Sequence, residues 1–181
     1  PATAEEEEWE VSVVVSDGEA EVSPASIEVV VLNAPPSVTE VTLDPTEAYE
    51  TSVLTATAIS ADEDGDAVTV SWSWSVSGTV LTDATGHTLD GGSFNKHDTI
   101  VATATPVDDE GPGDAVASDA LAILNSAPAI TSVSLDPTDI YEGSTVTCTP
   151  TGWTDVDADT ESYLYTWDVN GTAIGETGAT L

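Results

Sequence analysis

The sequence has almost no positive charge. Lys96 is the one basic residue among 181, and 34 aspartate and glutamate residues bring the formal net charge to −33. Proteins that bind nucleic acid need several cationic groups to replace the counterions of the phosphates, and proteins drawn to anionic membranes need the same. We therefore expect no nucleic acid and no anionic membrane among the partners of this chain.

Cysteine is nearly absent, and long apolar runs are absent. Cys148 is the single cysteine, so an internal disulfide cannot form. No apolar run approaches the ~20 residues that a membrane-spanning helix requires. Hydrophobic residues still make up 40% of the chain and include five tryptophans, so a core can be buried. These features predict a globular fold without covalent cross-links.

The sequence repeats itself. Val31–Pro36 matches Ile123–Pro128 at an offset of 123 − 31 = 92 residues. The match continues along the chain and, after a slip of one residue, pairs Trp74 with Trp167. Self-similarity at a fixed period indicates a tandem repeat.

The repeat divides the chain into one complete copy and two partial copies. Residues 34–125 form the complete copy, 126–181 match its N-terminal half, and 1–33 resemble its C-terminal half. We expect the partial copies to be completed either by adjoining segments of a longer chain or by identical neighbouring chains. The second arrangement would make a head-to-tail filament, because unpaired strand edges invite pairing.

The complete copy has the alternation of β-strands. Apolar residues from Val68 to Val76 alternate with serine and threonine, so one face is apolar and contains Trp74. Further short strands are predicted at 38–43, 51–59, 86–89, 99–105 and 115–124, and in the second copy at 163–169. About seven antiparallel strands in roughly 92 residues are typical of an immunoglobulin-like sandwich. The predicted fold is all-β, with tandem seven-stranded sandwiches, one complete and two partial.

Two side-chain positions are assigned to the core of these sandwiches. Trp74 and Trp167 lie where such domains place a buried tryptophan on the third strand. Cys148 matches Ala56 at a small inward position, which predicts a buried free thiol.

Two acidic loops recur at the same place in the repeat. They contain Asp62, Asp64 and Asp66 in the first copy and Asp155, Asp157 and Asp159 in the second. Alternate carboxylates in a loop can converge on one hard cation, and Ca²⁺ accepts six to eight oxygens in irregular geometry. The alternative is a solvated acidic turn without a metal.

Neighbouring loops extend these candidate calcium sites. In a seven-stranded sandwich the second-to-third and sixth-to-seventh strand loops lie at the end where the chain enters. Asn33, Asp108 and Asp109 are therefore expected beside the first acidic loop, and Asn125 beside the second. The same acidity is also typical of proteins from concentrated salt, in which ions screen self-repulsion.

Several segments resemble a known superfamily. The Asn-Ala-Pro linker, the Leu-Asp-Pro-Thr strand, the acidic loop and residues 165–171 resemble bacterial and archaeal surface-protein repeats of the PKD-like and cadherin-like immunoglobulin superfamily. The resemblance implies an extracellular stalk, adhesin or filament, with calcium that stiffens the joints between repeats.

No catalytic constellation is present in the sequence, and we expect a non-enzymatic protein. His87 and His97 fall in separate elements without metal-ligand spacing, and Ser93 is not in a nucleophile-elbow motif. The alternative function is carbohydrate binding or adhesion by exposed aromatic residues, for which the candidates are Trp9, Tyr49, Tyr141 and Trp153.

Overall fold

A computed structural model describes residues 7–22 and 24–181. Across these residues the only helix is one 3-10 turn at Gly91–Ser93, and the remaining regular structure is β-strand, which confirms the predicted all-β class. No helix in the described ranges has the length and apolar character needed to cross a membrane. Residues 1–6 and Ser23, which belong to the predicted partial copy 1–33, lie outside the described residues.

The chain forms two compact units. The first contains the described residues up to Thr46 together with Leu54–Leu89 and Thr99–Leu121. The second contains Glu47–Val53, Asp90–Asp98 and Ala122–Leu181. The second unit therefore includes residues from both sides of the predicted repeat boundary that follows Asn125.

The first unit begins with a two-stranded sheet. Strand β1 (Glu8–Val13) pairs antiparallel with β2 (Ala25–Val30), from Glu8 opposite Val30 to Val13 opposite Ala25. Every residue of both strands is exposed, including Val11 and Ile27 of the apolar alternation.

Two further sheets of the first unit face each other. One has the order β3 (Ser37–Asp44), β5 (Leu54–Ala61) and β8 (Thr88–Leu89), with antiparallel pairing. The other sheet contains β6 (Thr69–Val76), β7 (Thr79–Leu81), β9 (Thr99–Val107) and β10 (Val116–Ala117). Strand β6 pairs with both β7 and β9, and β10 pairs with β9.

The core of the first unit lies between these two sheets. Val38 and Val41 of β3 pack with Ala104 of β9. The alternation predicted for β6 is present, because its serine and threonine residues are mostly exposed while Trp74 is 1% exposed. The indole Nε1 of Trp74 donates a hydrogen bond of 2.8 Å to the carbonyl of Gly86, so the polar atom of this buried side chain is satisfied.

The second unit contains three short strand pairs. Strand β4 (Ala48–Tyr49) pairs in parallel with β11 (Leu121–Leu124), and Ala48, Phe94 and Ile123 are buried in this unit. The other two pairs are antiparallel. They join β12 (Ser132–Asp136) to β13 (Thr147–Thr151), and β14 (Asp168–Val169) to β15 (Thr172–Ala173).

Several local predictions differ from the structure, among them the assignment of Trp167 to a core, because its side chain is only half-buried. The predicted strand 163–169 is reduced to Asp168–Val169, because no strand among the described residues pairs with 161–166, whereas β6 is paired along its whole length with β9. The predicted strand 115–124 is divided into β10 and β11. Cys148 is half-buried, whereas its counterpart Ala56 is 3% exposed.

Local contacts recur at the offset found in the sequence. The indole Nε1 of Trp167 donates to the carbonyl of Gly178 at 2.9 Å, as Trp74 does to Gly86. Leu135 of β12 lies opposite Cys148 of β13, and Leu43 of β3 lies opposite Ala56 of β5 in the same register. The sequence match is therefore also a match of local geometry.

Candidate metal centre

Strand pairing in the first unit brings three chain segments together. The acidic loop 62–68 connects β5 to β6, and Asp108 follows directly after β9. Thr69 at the start of β6 pairs with Val107 at the end of β9, so the acidic loop and Asp108 emerge at the same edge. The linker before β3 supplies the third segment. We call Asn33, Asp62, Asp64, Asp66 and Asp108 the first cluster.

Asp62 organises the acidic loop. Its Oδ1 accepts hydrogen bonds from the backbone N–H groups of Asp64 at 2.8 Å, Gly65 at 2.9 Å and Asp66 at 3.2 Å. An aspartate that accepts bonds from the amides that follow it stabilises a tight turn. Gly65 has a φ of +91°, a conformation that favours glycine. The other carboxylate oxygen of Asp62 takes no part in this turn.

The linker is bonded to both acidic segments. The backbone N–H of Ala34 donates to Asp64 Oδ2 at 2.6 Å, and Asn33 Nδ2 donates to Asp108 Oδ2 at 3.2 Å. A side chain at Gly113 would prevent this approach, since its Cβ would lie 1.7 Å from the carbonyl oxygen of Pro36. The structure thus brings the predicted residues of the first cluster together. Asp109 is exposed on the same loop and contributes charge.

The first cluster contains oxygens that have no hydrogen-bond donor. Asn33 Oδ1, Asp62 Oδ2 and Asp66 Oδ2 are buried and have no hydrogen-bond partner. A buried acceptor without a donor destabilises the folded state, and such groups are rare in native proteins. Carboxylate and amide oxygens are the ligands that Ca²⁺ prefers. The three unpaired atoms of the first cluster are therefore of the type that a hard cation binds.

Electrostatic repulsion within the cluster is visible in its pKa values. Burial raises the pKa of Asp66, and the negative charges of Asp62 and Asp108 raise it further. Burial, with the charges of Asp108 and Asp66, also raises the pKa of Glu110. Bound cations have the opposite effect on neighbouring carboxylates.

The pKa of Asp108 is lowered, unlike the pKa values of Asp66 and Glu110, because Asp108 accepts several hydrogen bonds. Burial by itself raises the pKa of Asp108, which is 8% exposed. Hydrogen bonds from the Gly111 amide, the Asn33 side chain and the Glu110 amide outweigh this effect and lower the pKa. Asp108 therefore stays ionised beside Asp66, and it positions the linker through Asn33.

The second unit contains an equivalent group, which we call the second cluster: Asn125, Asp155, Asp157 and Asp159. The backbone N–H of Ser126 donates to Asp157 Oδ2, and the backbone N–H of Asp159 donates to Asp155 Oδ1 at 3.0 Å. Asp155 Oδ2 is buried without a partner. The three aspartates each place one oxygen within 4.8 Å of the others, and no other trio of acidic, histidine or cysteine side chains in the described residues does so.

Lys96 lies in the second cluster, a position that the sequence pattern does not predict. Its Nζ forms an ion pair with Asp159 Oδ1 and donates to Asn125 Oδ1 at 3.1 Å. The hydrogen bond with Asp159 raises the pKa of Lys96. The composition indicates that Lys96 pairs with a carboxylate, because the sequence contains one ammonium group and 34 carboxyl groups. The pattern does not show which of them it meets, because Lys96 and Asp159 are 63 positions apart.

In the described residues no ring contact joins one of the four candidate aromatic residues for carbohydrate binding to another. Trp153 is half-buried and packs edge-to-face on Tyr163, with ring centroids 5.7 Å apart. A hydrogen bond to Glu161 raises the pKa of Tyr163 to about 12. Trp9 of the first unit donates from Nε1 to Glu7 at 3.0 Å, and Tyr141 of the second is 84% exposed. Carbohydrate binding stays a prediction.

The raised pKa of Asp66 gives a testable pH dependence. The pKa of Asp66 in the folded state lies above its unfolded value of 3.8. Ionisation of Asp66 therefore destabilises the folded state, and the full effect is present at pH values above the folded-state pKa. Asp66→Asn should therefore raise the melting temperature of chelator-treated protein at pH 7. The gain should shrink as pH falls through the folded pKa and vanish below the unfolded value. Calorimetry across pH 3–7 in EGTA measures this.

Asp83→Asn is the matched control for this pH series, because Asp83 is an exposed aspartate of the same unit. It removes the same charge away from the first cluster, so its effect on the melting temperature should not follow the titration of Asp66. A loss of stability in Asp66→Asn at pH 7 in EGTA would contradict the repulsion inferred for the cluster.

Comparison with known proteins does not assign this chain to a family. No protein-family model matches the chain, and no curated protein is significantly similar to it. Only the residues themselves indicate a function.

Proposed function

We propose that this chain is a non-catalytic structural segment of an extracellular array of immunoglobulin-like repeats, such as a stalk, adhesin or filament. Its partners are neighbouring repeats, in the same chain or in identical chains. Calcium at the first cluster stiffens the joint between successive repeats. The proposal includes membership of the PKD-like and cadherin-like immunoglobulin superfamily.

The orphaned oxygens of the first cluster carry the proposal. Asn33 Oδ1, Asp62 Oδ2 and Asp66 Oδ2 are buried acceptors in the part of the molecule where burial and neighbouring negative charges raise the pKa of Asp66. A divalent cation would be coordinated by all three oxygens and would neutralise part of the negative charge of the cluster. Ca²⁺ takes six to eight oxygen ligands and tolerates irregular geometry, so water can complete the shell.

The position of the first cluster explains why a cation would stiffen a joint. Asn33 and Ala34 belong to the linker between β2 and β3, and they already bond to Asp108 and Asp64. A cation held by Asn33 and the loop aspartates would add a further cross-link between the linker and the loops beside it. The linker would then lose freedom, and the angle between successive repeats would vary less.

The recurrence of local geometry supports an array. The tryptophan-to-glycine hydrogen bond, the strand register and the bond from linker to acidic loop are all found twice. In a tandem array each module contacts mainly its neighbours, so length grows with the number of modules and stiffness depends on the joints. Residues that define such joints are expected to recur in this way.

Calcium should raise the thermal stability of the chain and narrow its range of shapes. Extracellular calcium modules bind with dissociation constants of about 10⁻⁴–10⁻³ M, so ~10 mM calcium should stabilise the folded state by about 1–3 kcal/mol. Calorimetry and small-angle X-ray scattering in calcium and in EGTA measure these effects.

Two controls separate calcium binding from general screening. Sodium chloride at matched ionic strength reproduces the screening that an acidic protein from concentrated salt would need. Magnesium tests selectivity, because it demands near-octahedral geometry and dehydrates reluctantly. Equal effects of sodium and calcium on melting and scattering would contradict the proposal.

A further inference from the structure

We infer that Lys96 is a tethered cation that occupies the cation position of the second cluster and excludes calcium from it. This inference rests on the proposed function, since it specifies which of two related clusters is open to the metal. It makes Lys96 the residue that determines where calcium binds in this chain.

The two clusters share a common framework. In each, a backbone N–H of the linker donates to the middle aspartate, from Ala34 to Asp64 and from Ser126 to Asp157. In each, the first aspartate accepts a bond from the backbone N–H of the third, at 3.2 Å in the first cluster and 3.0 Å in the second. The remaining oxygen of the first aspartate, Oδ2, is buried without a partner in both. Corresponding atoms can therefore be compared directly.

The comparison identifies the cation position. Lys96 Nζ contacts the Asn125 amide oxygen and the Asp159 carboxylate. The corresponding residues of the first cluster are Asn33 and Asp66, whose Oδ1 and Oδ2 atoms are buried without a partner. The residues that hold an ammonium group in the second cluster thus correspond to residues with orphaned oxygens in the first.

The spacing of the carboxylates agrees with this assignment. Asp155, Asp157 and Asp159 bring oxygens within 4.8 Å of one another, whereas among the described residues no three acidic side chains of the first cluster do so. Carboxylates repel each other unless a cation lies between them. The ammonium of Lys96 provides that cation in the second cluster.

The sequence explains why the first cluster has no such ammonium group. Val11 corresponds to Ile100, an offset of 100 − 11 = 89, so Lys96 corresponds to position 96 − 89 = 7, which is Glu7. The carboxylate of Glu7 accepts a bond from Trp9 Nε1 at 3.0 Å. The sequence therefore has an acidic residue at the aligned position, and Lys96, the single lysine, has no counterpart in the first copy.

Lys96 is held in place by the unit that contains it. Its backbone N–H donates to Glu50 Oε1 at 2.8 Å, and its side chain is 22% exposed. A tethered group competes with a free ligand at an effective concentration that reaches millimolar values, which is the range of extracellular calcium affinities. Because the folded-state pKa of Lys96 lies above 10.5, the ammonium stays charged at neutral pH, and its ion pair weakens only as pH rises through that value.

The test is calcium stoichiometry in the full chain. Chelator-treated wild type and Lys96→Gln are titrated with calcium chloride by isothermal titration calorimetry. The wild type should bind one calcium and Lys96→Gln two. Lys96→Arg keeps the charge and should stay at one. Lys96→Gln combined with Asp157→Asn should lose the added site, which locates that site in the second cluster.

The possible results separate this inference from the proposed function. Two calcium ions on the wild type, or one on Lys96→Gln when the wild type also binds one, would overturn the inference and leave the proposed function standing. No calcium on the wild type but one on Lys96→Gln would support the role of Lys96 and overturn the proposed function. No calcium on either would overturn both. Lys96→Met, which keeps the aliphatic stem, repeats the test if Lys96→Gln does not fold.

Discussion

Trp74→Ala should lower the free energy of unfolding of the first unit by about 3–5 kcal/mol, the range for removing a large aromatic side chain from a packed core. Trp74 is 1% exposed, and its indole N–H satisfies the carbonyl of Gly86. The substitution removes the apolar contacts, opens a cavity and leaves that carbonyl without its donor. Native-state hydrogen exchange of the β6 and β9 amides measures the free energy of this unit separately from the other.

Trp167→Ala is the matched control. Trp167 makes the same hydrogen bond to Gly178 at 2.9 Å, but its side chain is only half-buried. Since less apolar surface is lost, its effect should be less than half that of Trp74→Ala. Trp74→Phe keeps most of the volume and should cost about 1–3 kcal/mol, chiefly through the lost hydrogen bond. Equal destabilisation by Trp74→Ala and Trp167→Ala would contradict the assignment of Trp74 to the core.

Asp62→Asn and Asp66→Asn should each weaken calcium binding by at least about tenfold, since the charge of the ligands sets calcium affinity and even indirect ligand partners change metal affinity by 10–100-fold. An asparagine at position 62 keeps an oxygen that can accept the three backbone bonds of the turn. The loop should therefore keep its shape while the charge is lost. Calorimetric titration of both variants with calcium measures the change.

Asp83→Asn again serves as the control for charge, because it removes one negative charge from an exposed position of the same unit. Its calcium affinity should equal that of the wild type. If all three variants weaken binding equally, the metal responds to net charge and not to the first cluster.

The sequence allowed the centre of the first unit to be predicted because local patterns determine it. Alternation from Val68 to Val76 requires an extended strand with one buried face, and Trp74 is on that face. The approach of Asn33 to Asp108 followed from the topology of a sandwich, in which paired strands place their loops at one end. The first prediction used only local alternation, whereas the second, for residues 75 positions apart, used the strand order expected of a sandwich.

Other features depend on contacts that no local pattern records. Lys96 forms an ion pair with Asp159, which is 63 positions away in the sequence. The number of charges does not show which carboxylate pairs with Lys96. Strand β4 has only two residues and exists through its pairing with β11. Residues 163–166 alternate as β6 does, but an extended segment is a strand only when a partner completes its hydrogen bonds.

Amide chemical-shift mapping during a calcium titration tests the central claim most directly. If calcium binds at the first cluster, the amides of Ala34, residues 62–66 and residues 108–111 should shift together and saturate with one dissociation constant of about 10⁻⁴–10⁻³ M. The amides of residues 155–159 should not follow that curve. Shifts that drift without saturation at acidic residues throughout the chain would contradict the account, because they would show screening and not a site.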